Sequence, residues 1–137
     1  MKEKYLIYKL EYSKYILLFK CGNFYISLNK DAIVMNNIFN YKIKESTNFI
    51  KTGFPINSLN KVLIELESKN VNYLVINEKI INKQKYKKNN FDNYLKNYEV
   101  YLSRISNINV ILKNNLSNKL LDETLKRIES IVCKINC

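Results

Sequence analysis

The residues able to do chemistry in this 137-residue chain are defined first by what is missing: it contains no His, two Gly and three Cys. General acid–base work would therefore fall to carboxylates, Lys or Tyr. Asp31, Glu45, Glu65, Glu67 and Glu78 do not gather into the tight acidic cluster that a metal-dependent nuclease needs. Glu65 and Glu67 are two apart on an expected helix and point to different faces. Ser and Cys nucleophiles lack a His base. The two glycines, Gly22 and Gly53, are 31 apart, so no Gly-x-x-x-x-Gly-Lys-Ser/Thr phosphate loop exists and ATP hydrolysis is not expected. The odd, scattered cysteines argue against a disulfide scaffold. Cys133 and Cys137 are spaced as half a metal site on one helix face, but nothing supplies the other ligands. The expectation is a protein without catalysis, metal or cofactor.

Polyanion contact is the chemistry that remains. Lys+Arg number 23 against 12 Asp+Glu, for a formal charge of +11. Up to Asn90 there are 16 basic and seven acidic side chains, a net +9; from Phe91 there are seven and five, a net +2. The densest basic run is Lys79, Lys83, Lys85, Lys87 and Lys88, with Tyr86 inside it. Each lysine that neutralises a phosphate steepens log affinity against log salt by about 0.9. The other reading of such a run is a solvated linker. The only arginines, Arg104 and Arg127, lie outside the basic part. Guanine reading in the major groove favours Arg, so any nucleic-acid binding should follow shape, distortion or phosphate rather than base sequence.

These side chains need a scaffold, and the pattern describes one. Lys2 to Tyr12 has helical spacing, and Tyr15 to Phe19 is a short apolar strand. Gly22-Asn23 suits a two-residue hairpin turn. Phe24 to Leu28 would return as a strand with Phe24, Ile26 and Leu28 on one face and Tyr25 and Ser27 on the other. That apolar alternation reads as the core side of a strand. A helix follows with Asp31 in its first turn and Ile33, Met35, Ile38 and Phe39 inward. Tyr41 to Ile43 and Phe49 to Lys51 read as short strands, broken by Gly53-Phe54-Pro55. Asn57 or Ser58 caps a helix to about Lys69, and Val71 to Ile76 is a further strand.

Beyond Lys88-Asn89-Asn90, two apolar stripes define two helices: one runs from Tyr94 to Ile105, the other from Leu116 to Ile135. The expected fold class is α/β (α+β): a mixed β-sheet with helices packed on it over residues 1–90, and a two-helix C-terminal extension over 91–137. The tail helices either return to the sheet or pair with another copy. No run approaches the roughly 18 apolar residues of a membrane span, and charges at Glu3, Lys4, Lys9 and Glu11 replace the apolar core of a leader. The chain is therefore expected in the cytoplasm, away from membranes.

Tyr15-Ile-Leu-Leu-Phe-Lys-Cys-Gly-Asn-Phe-Tyr25, followed by Asp31-Ala32, resembles the amino-terminal mismatch-recognition domain of MutS (MutS domain I). In that family a strand leads into Gly-Asp-Phe-Tyr-Glu and then an Asp-Ala helix. Gly53-Phe54-Pro55, the next helix and Val71 to Glu78 keep that domain's order, so the resemblance covers about residues 1–80. That family continues into connector, lever, clamp and ATPase domains, where this chain has two helices. The resemblance implies that Phe24 is a wedge inserted at a mispaired base, and that Ile26 stands where the family has a Glu that hydrogen-bonds to that base. Asn23 stands where the family has Asp, which removes a negative charge beside a phosphate path. Inserting a ring costs a few kcal/mol of unstacking, least where pairing is already weak.

The site residues expected on this basis are Lys20, Asn23, Phe24, Ile26, Lys83, Lys85, Lys87 and Lys88. The expected function is a non-catalytic, mismatch-repair-related accessory that binds duplex or distorted DNA through Lys contacts and a Phe24 wedge. Its partners would be double-stranded DNA and a full-length MutS or a second copy of itself. The alternative is a protein-interaction module that has lost DNA reading, as Ile26 hints, and that dimerises or binds a repair protein through its C-terminal helices.

Overall fold

The computed structural model describes residues 1–136 of the chain. Six strands form a single mixed sheet, in the order β3-β4-β2-β1-β5-β6. They are β1 (Ile16–Cys21), β2 (Phe24–Leu28), β3 (Lys44–Glu45), β4 (Ile50–Pro55), β5 (Tyr73–Asn77) and β6 (Lys79–Gln84). Five helices accompany them: α1 (Lys2–Glu11), α2 (Asn29–Phe39), α3 (Leu59–Ser68), α4 (Phe91–Lys113) and α5 (Leu121–Asn136). β1 and β5 run parallel and every other pairing is antiparallel. This is the mixed α/β sheet that the sequence pattern implies.

Both faces of the sheet are covered, which explains why Ile16 to Phe19 reads as an unbroken apolar run. Ile16, Leu18, Tyr25, Phe54, Tyr73 and Val75 pack on one face with Val34 and Met35 of α2, Val62 and Leu66 of α3, and Phe91 and Leu95 of α4. Leu17, Phe19, Leu28, Leu74 and Ile76 pack on the other with Tyr5 of α1. The alternation along β2 consequently does not divide core from solvent. Tyr25 and Leu28 are both buried, on opposite faces, while Phe24 at the strand's first position is 50% exposed.

Three local expectations change. Gly53-Phe54-Pro55 does not break the chain but completes β4, and Phe54 is 2% exposed in the core. A glycine is needed because a Cβ at Gly53 would stand 2.9 Å from the carbonyl oxygen of Tyr25. The short strand before it is Lys44–Glu45, not Tyr41 to Ile43. The lysine run beginning at Lys79 is not a linker: Lys79 to Gln84 pair with β5 as an edge strand, after a turn with Glu78 at φ 64°. Lysines on an exposed edge discourage pairing with other chains, which is why a strand there looks like a solvated charge run.

The chain divides into two compact units, Met1–Tyr98 and the residues from Glu99 onward. The first unit runs past the 90/91 boundary expected from charge, because the Asn-rich segment before α4 is bonded into it. The Asn90 N–H donates to the Asn70 carbonyl at 2.9 Å, and the Asn89 side-chain amide donates to the Lys14 carbonyl at 2.7 Å. Phe91 is 1% exposed in the same core. The second unit holds α5 and the part of α4 from Glu99, joined by 114–120.

Candidate nucleic-acid interface

Gly22, at φ +61°, makes the tight turn between β1 and β2 that places Cys21 opposite Phe24. β2 then pairs with β4, so Phe24 faces Pro55, Ile26 faces Gly53 and Leu28 faces Lys51. β3 adds Lys44 opposite Lys51. Because side chains alternate along strands and directly paired residues share a side, Phe24, Ile26, Gly53, Lys51 and Lys44 lie on one side of the sheet. Gly53 contributes no side chain there, and its neighbours enclose a groove of about 340 Å³. Phe24, Ile26, Tyr41, Lys42, Lys44, Lys51, Thr52 and Gly53 line it. No carboxylate is among them, and among the described residues none of the three lysines is in an ion pair. Three cations beside a half-exposed aromatic ring are suited to phosphates flanking an unstacked base.

The structure brings together only part of the expected site. Phe24 and Ile26 line the groove, with Asn23 in the turn directly before them. Asn23 also holds the end of β4: its carbonyl accepts the Ile56 N–H at 3.0 Å, where Pro55 has no N–H to offer. Lys20 pairs with Tyr25 on β1 and so belongs to the other side of the sheet. Lys83, in β6, and Lys85, Lys87 and Lys88 after it are on the far edge. β1 and β5 separate that edge from β2, which at the usual strand spacing is about 14 Å. The Lys83 ammonium instead sits 5.0 Å from the ring centre of Tyr12. Lys42, Lys44 and Lys51 were not singled out by sequence reasoning. Alternation of Lys42 with Lys44 is the only local signal, and the pairing that adds Lys51 is a matter of register.

A buried ion pair fixes the hairpin from behind. Asp31, in the first turn of α2, is fully buried; its Oδ2 accepts the Leu17 N–H at 3.0 Å and its Oδ1 meets the Lys9 ammonium at 2.6 Å. Lys9 also donates to the carbonyls of Ser13 at 3.2 Å and Tyr15 at 2.6 Å, so α1, the segment leading into β1 and α2 meet at one cation. Burial pushes the Asp31 carboxyl up to about 7, against the opposing pull of Lys9. Burial likewise holds the Lys9 ammonium below its ordinary value, against the pull of Asp31. Perturbed groups often mark functional sites, but neither residue lines the Phe24 groove, and the pair has its contacts within the fold. Its role is to position.

Among the described residues no three His, Cys, Asp or Glu side chains are grouped to hold a metal ion. Cys133 is exposed, and Cys137, its partner in the expected half site, lies outside the described residues. No helix among the described residues is long and apolar enough to cross a membrane. No curated protein matches the chain. The family model described as MutS domain I matches residues 1–103.

Proposed function

The chain belongs to the MutS domain I family, and from that premise we propose that it is a non-catalytic DNA-binding accessory of mismatch repair that engages distorted duplex. MutS domain I is the mismatch-recognition and DNA-binding domain of MutS. The observation that carries the proposal is the placement of Phe24, 50% exposed, at a groove with Lys42, Lys44 and Lys51 and without an acid. Phe24 enters a base step that is already weakly stacked, and the three lysines take the flanking phosphates. Wedge insertion of this kind costs a few kcal/mol of unstacking, so a defect that lowers this cost is selected. Ile26 offers no polar atom to a base edge, so the protein follows deformability and not the identity of the mispair. Lys83, Lys85, Lys87 and Lys88 form a second phosphate-contacting edge, apart from the wedge. The partners proposed are double-stranded DNA and a full-length MutS, to which this chain adds a duplex-holding domain.

The test is fluorescence anisotropy with labelled matched and single-mismatch duplexes across a salt series. Both duplexes bind, the mismatched one more tightly, with a steep salt slope. Replacing Lys42, Lys44 and Lys51 by Gln lowers that slope by about 0.9 per residue. Phe24→Ala removes the preference for the mismatched duplex and leaves the slope in place. Absence of binding to either duplex at low salt would refute the proposal and favour the interaction-module alternative.

A further inference from the structure

The second unit leaves apolar surface that its own helices do not cover. Between Val100 and Ile135, twelve large apolar side chains are 48–81% exposed, among them Ile105, Ile108 and Ile111 on α4 and Ile131, Val132 and Ile135 on α5. By contrast Leu112, Leu121, Leu125 and Ile128 are partly covered within the unit. At the area expected for side chains of this size, the exposed set amounts to on the order of 1,000 Å² per chain. A stable interface takes about 800 Å² from each partner.

We propose that this face is the interface with a second copy of the chain, the two helical pairs closing into a four-helix bundle. Its charges select the occupant. From Val100 to Leu112 the only charged residue is Arg104, so this part of α4 presents nothing for a polyanion or for a partner of opposite sign. On α5, Lys126 pairs with Asp122 at 3.0 Å and Arg127 with Glu123 at 3.5 Å. Those two cations are occupied within their own helix, and Lys134, the third cation of α5, is too little alone to make a polybasic face for an anionic membrane surface. The surface to be matched is therefore mainly apolar, of small net charge and of interface size, and an identical unit supplies all three properties. An isologous pairing buries each stripe against the same stripe and closes after two copies. The lengths agree: α5 has 16 residues, about 24 Å of helix, close to the length of α4 beyond Glu99.

The test uses the full chain, in reductant and without DNA, so its outcome is independent of the proposal for the groove. Light scattering after size exclusion, at about 100 μM and therefore well above a micromolar Kd, gives twice the 16.3 kDa chain mass, and dilution returns the monomer. Ile105→Glu and Ile131→Glu, both at exposed positions, each halve the mass while the unfolding transition of the sheet unit stays where it was. A monomeric mass for the unaltered chain at that concentration overturns the proposal, whether or not the chain then sediments with phosphatidylserine vesicles. A dimeric mass that survives both substitutions, or a mass that climbs beyond two copies, overturns it as well.

Discussion

Replacing Lys9 by Met tests the buried pair that ties α1 to the sheet. The Lys9 side chain is 14% exposed and Asp31 is not exposed at all, and Met fills a similar volume, so packing changes little. Two hydrogen bonds to the Ser13 and Tyr15 carbonyls disappear at any pH, for about 2 kcal/mol together. The ammonium also lies 5.0 Å from the Phe91 ring centre, a contact that adds to this loss. Above pH 7 the carboxyl loses its counter-ion too, and each further unit by which its pKa rises costs about 1.4 kcal/mol. The total is about 3 kcal/mol at pH 8, the low end of what breaking a buried pair costs. At pH 5 Asp31 is already protonated in the unaltered fold, since burial raises it to about 7, and the cost returns to about 2 kcal/mol. Urea unfolding followed by circular dichroism at both pH values measures the two costs. A cost below about 1 kcal/mol at pH 8, or a larger cost at pH 5 than at pH 8, refutes the reasoning.

Three other outcomes follow from the same packing. Because the folded chain keeps a proton on Asp31 that the unfolded chain releases from pH 3.8 upward, this group's stabilisation is complete below that value and declines as pH rises to about 7. Asp31→Asn removes this decline; a difference between the two proteins that is flat or reversed between pH 4 and 7 contradicts this. Phe24→Ala costs less than about 1 kcal/mol in stability, whereas Phe54→Ala, which empties the space between Tyr25 and Tyr41 in the core, costs about 3–5 kcal/mol. Equal costs in thermal unfolding would mean that Phe24 is a core residue. Gly53→Val drives a Cβ to 2.9 Å from the Tyr25 backbone oxygen and 3.4 Å from Ile26 Cγ1. It costs about 2 kcal/mol and weakens binding to mismatched duplex in the anisotropy assay, and parent-like stability and binding would argue against the groove.

The difference between Phe24 and Phe54 shows where local pattern stopped being informative. On alternation alone, Phe24 belongs to an apolar strand face with Ile26 and Leu28, while Phe54 sits between a glycine and a proline in what reads as a break. The structure reverses them, because β2 is an interior strand with Tyr25, Ser27 and Leu28 buried, Ile26 half-buried at the groove and Phe24 open, and β4 continues through Gly53 to pair with it. β6 was hidden for a related reason. An edge strand has one partner and a solvated side, so lysines satisfy it as well as apolar residues would. The Asn-rich segment before α4 looked like a linker because Asn is common in loops, yet the Asn89 side-chain amide accepts the N–H of Asn72, just before β5, and donates to the Lys14 carbonyl before β1.

By itself the sequence determined the elements that rest on neighbours along the chain: the opening helix, the Gly22 turn, α2, α3 and the mixed sheet, together with the lack of a His base or a phosphate loop. It also carried the family, through motifs that keep their order. Tertiary structure alone decided which charges act together. Lys42, Lys44 and Lys51 reach the Phe24 groove through antiparallel register, and the more conspicuous lysines from Lys83 onward are carried to the opposite edge by strand order. Lys9 and Asp31 are 22 residues apart and meet only because α1 and α2 pack across the same strand. Electrostatic interaction depends on distance and dielectric, and both are set by which strands become neighbours and not by position along the chain.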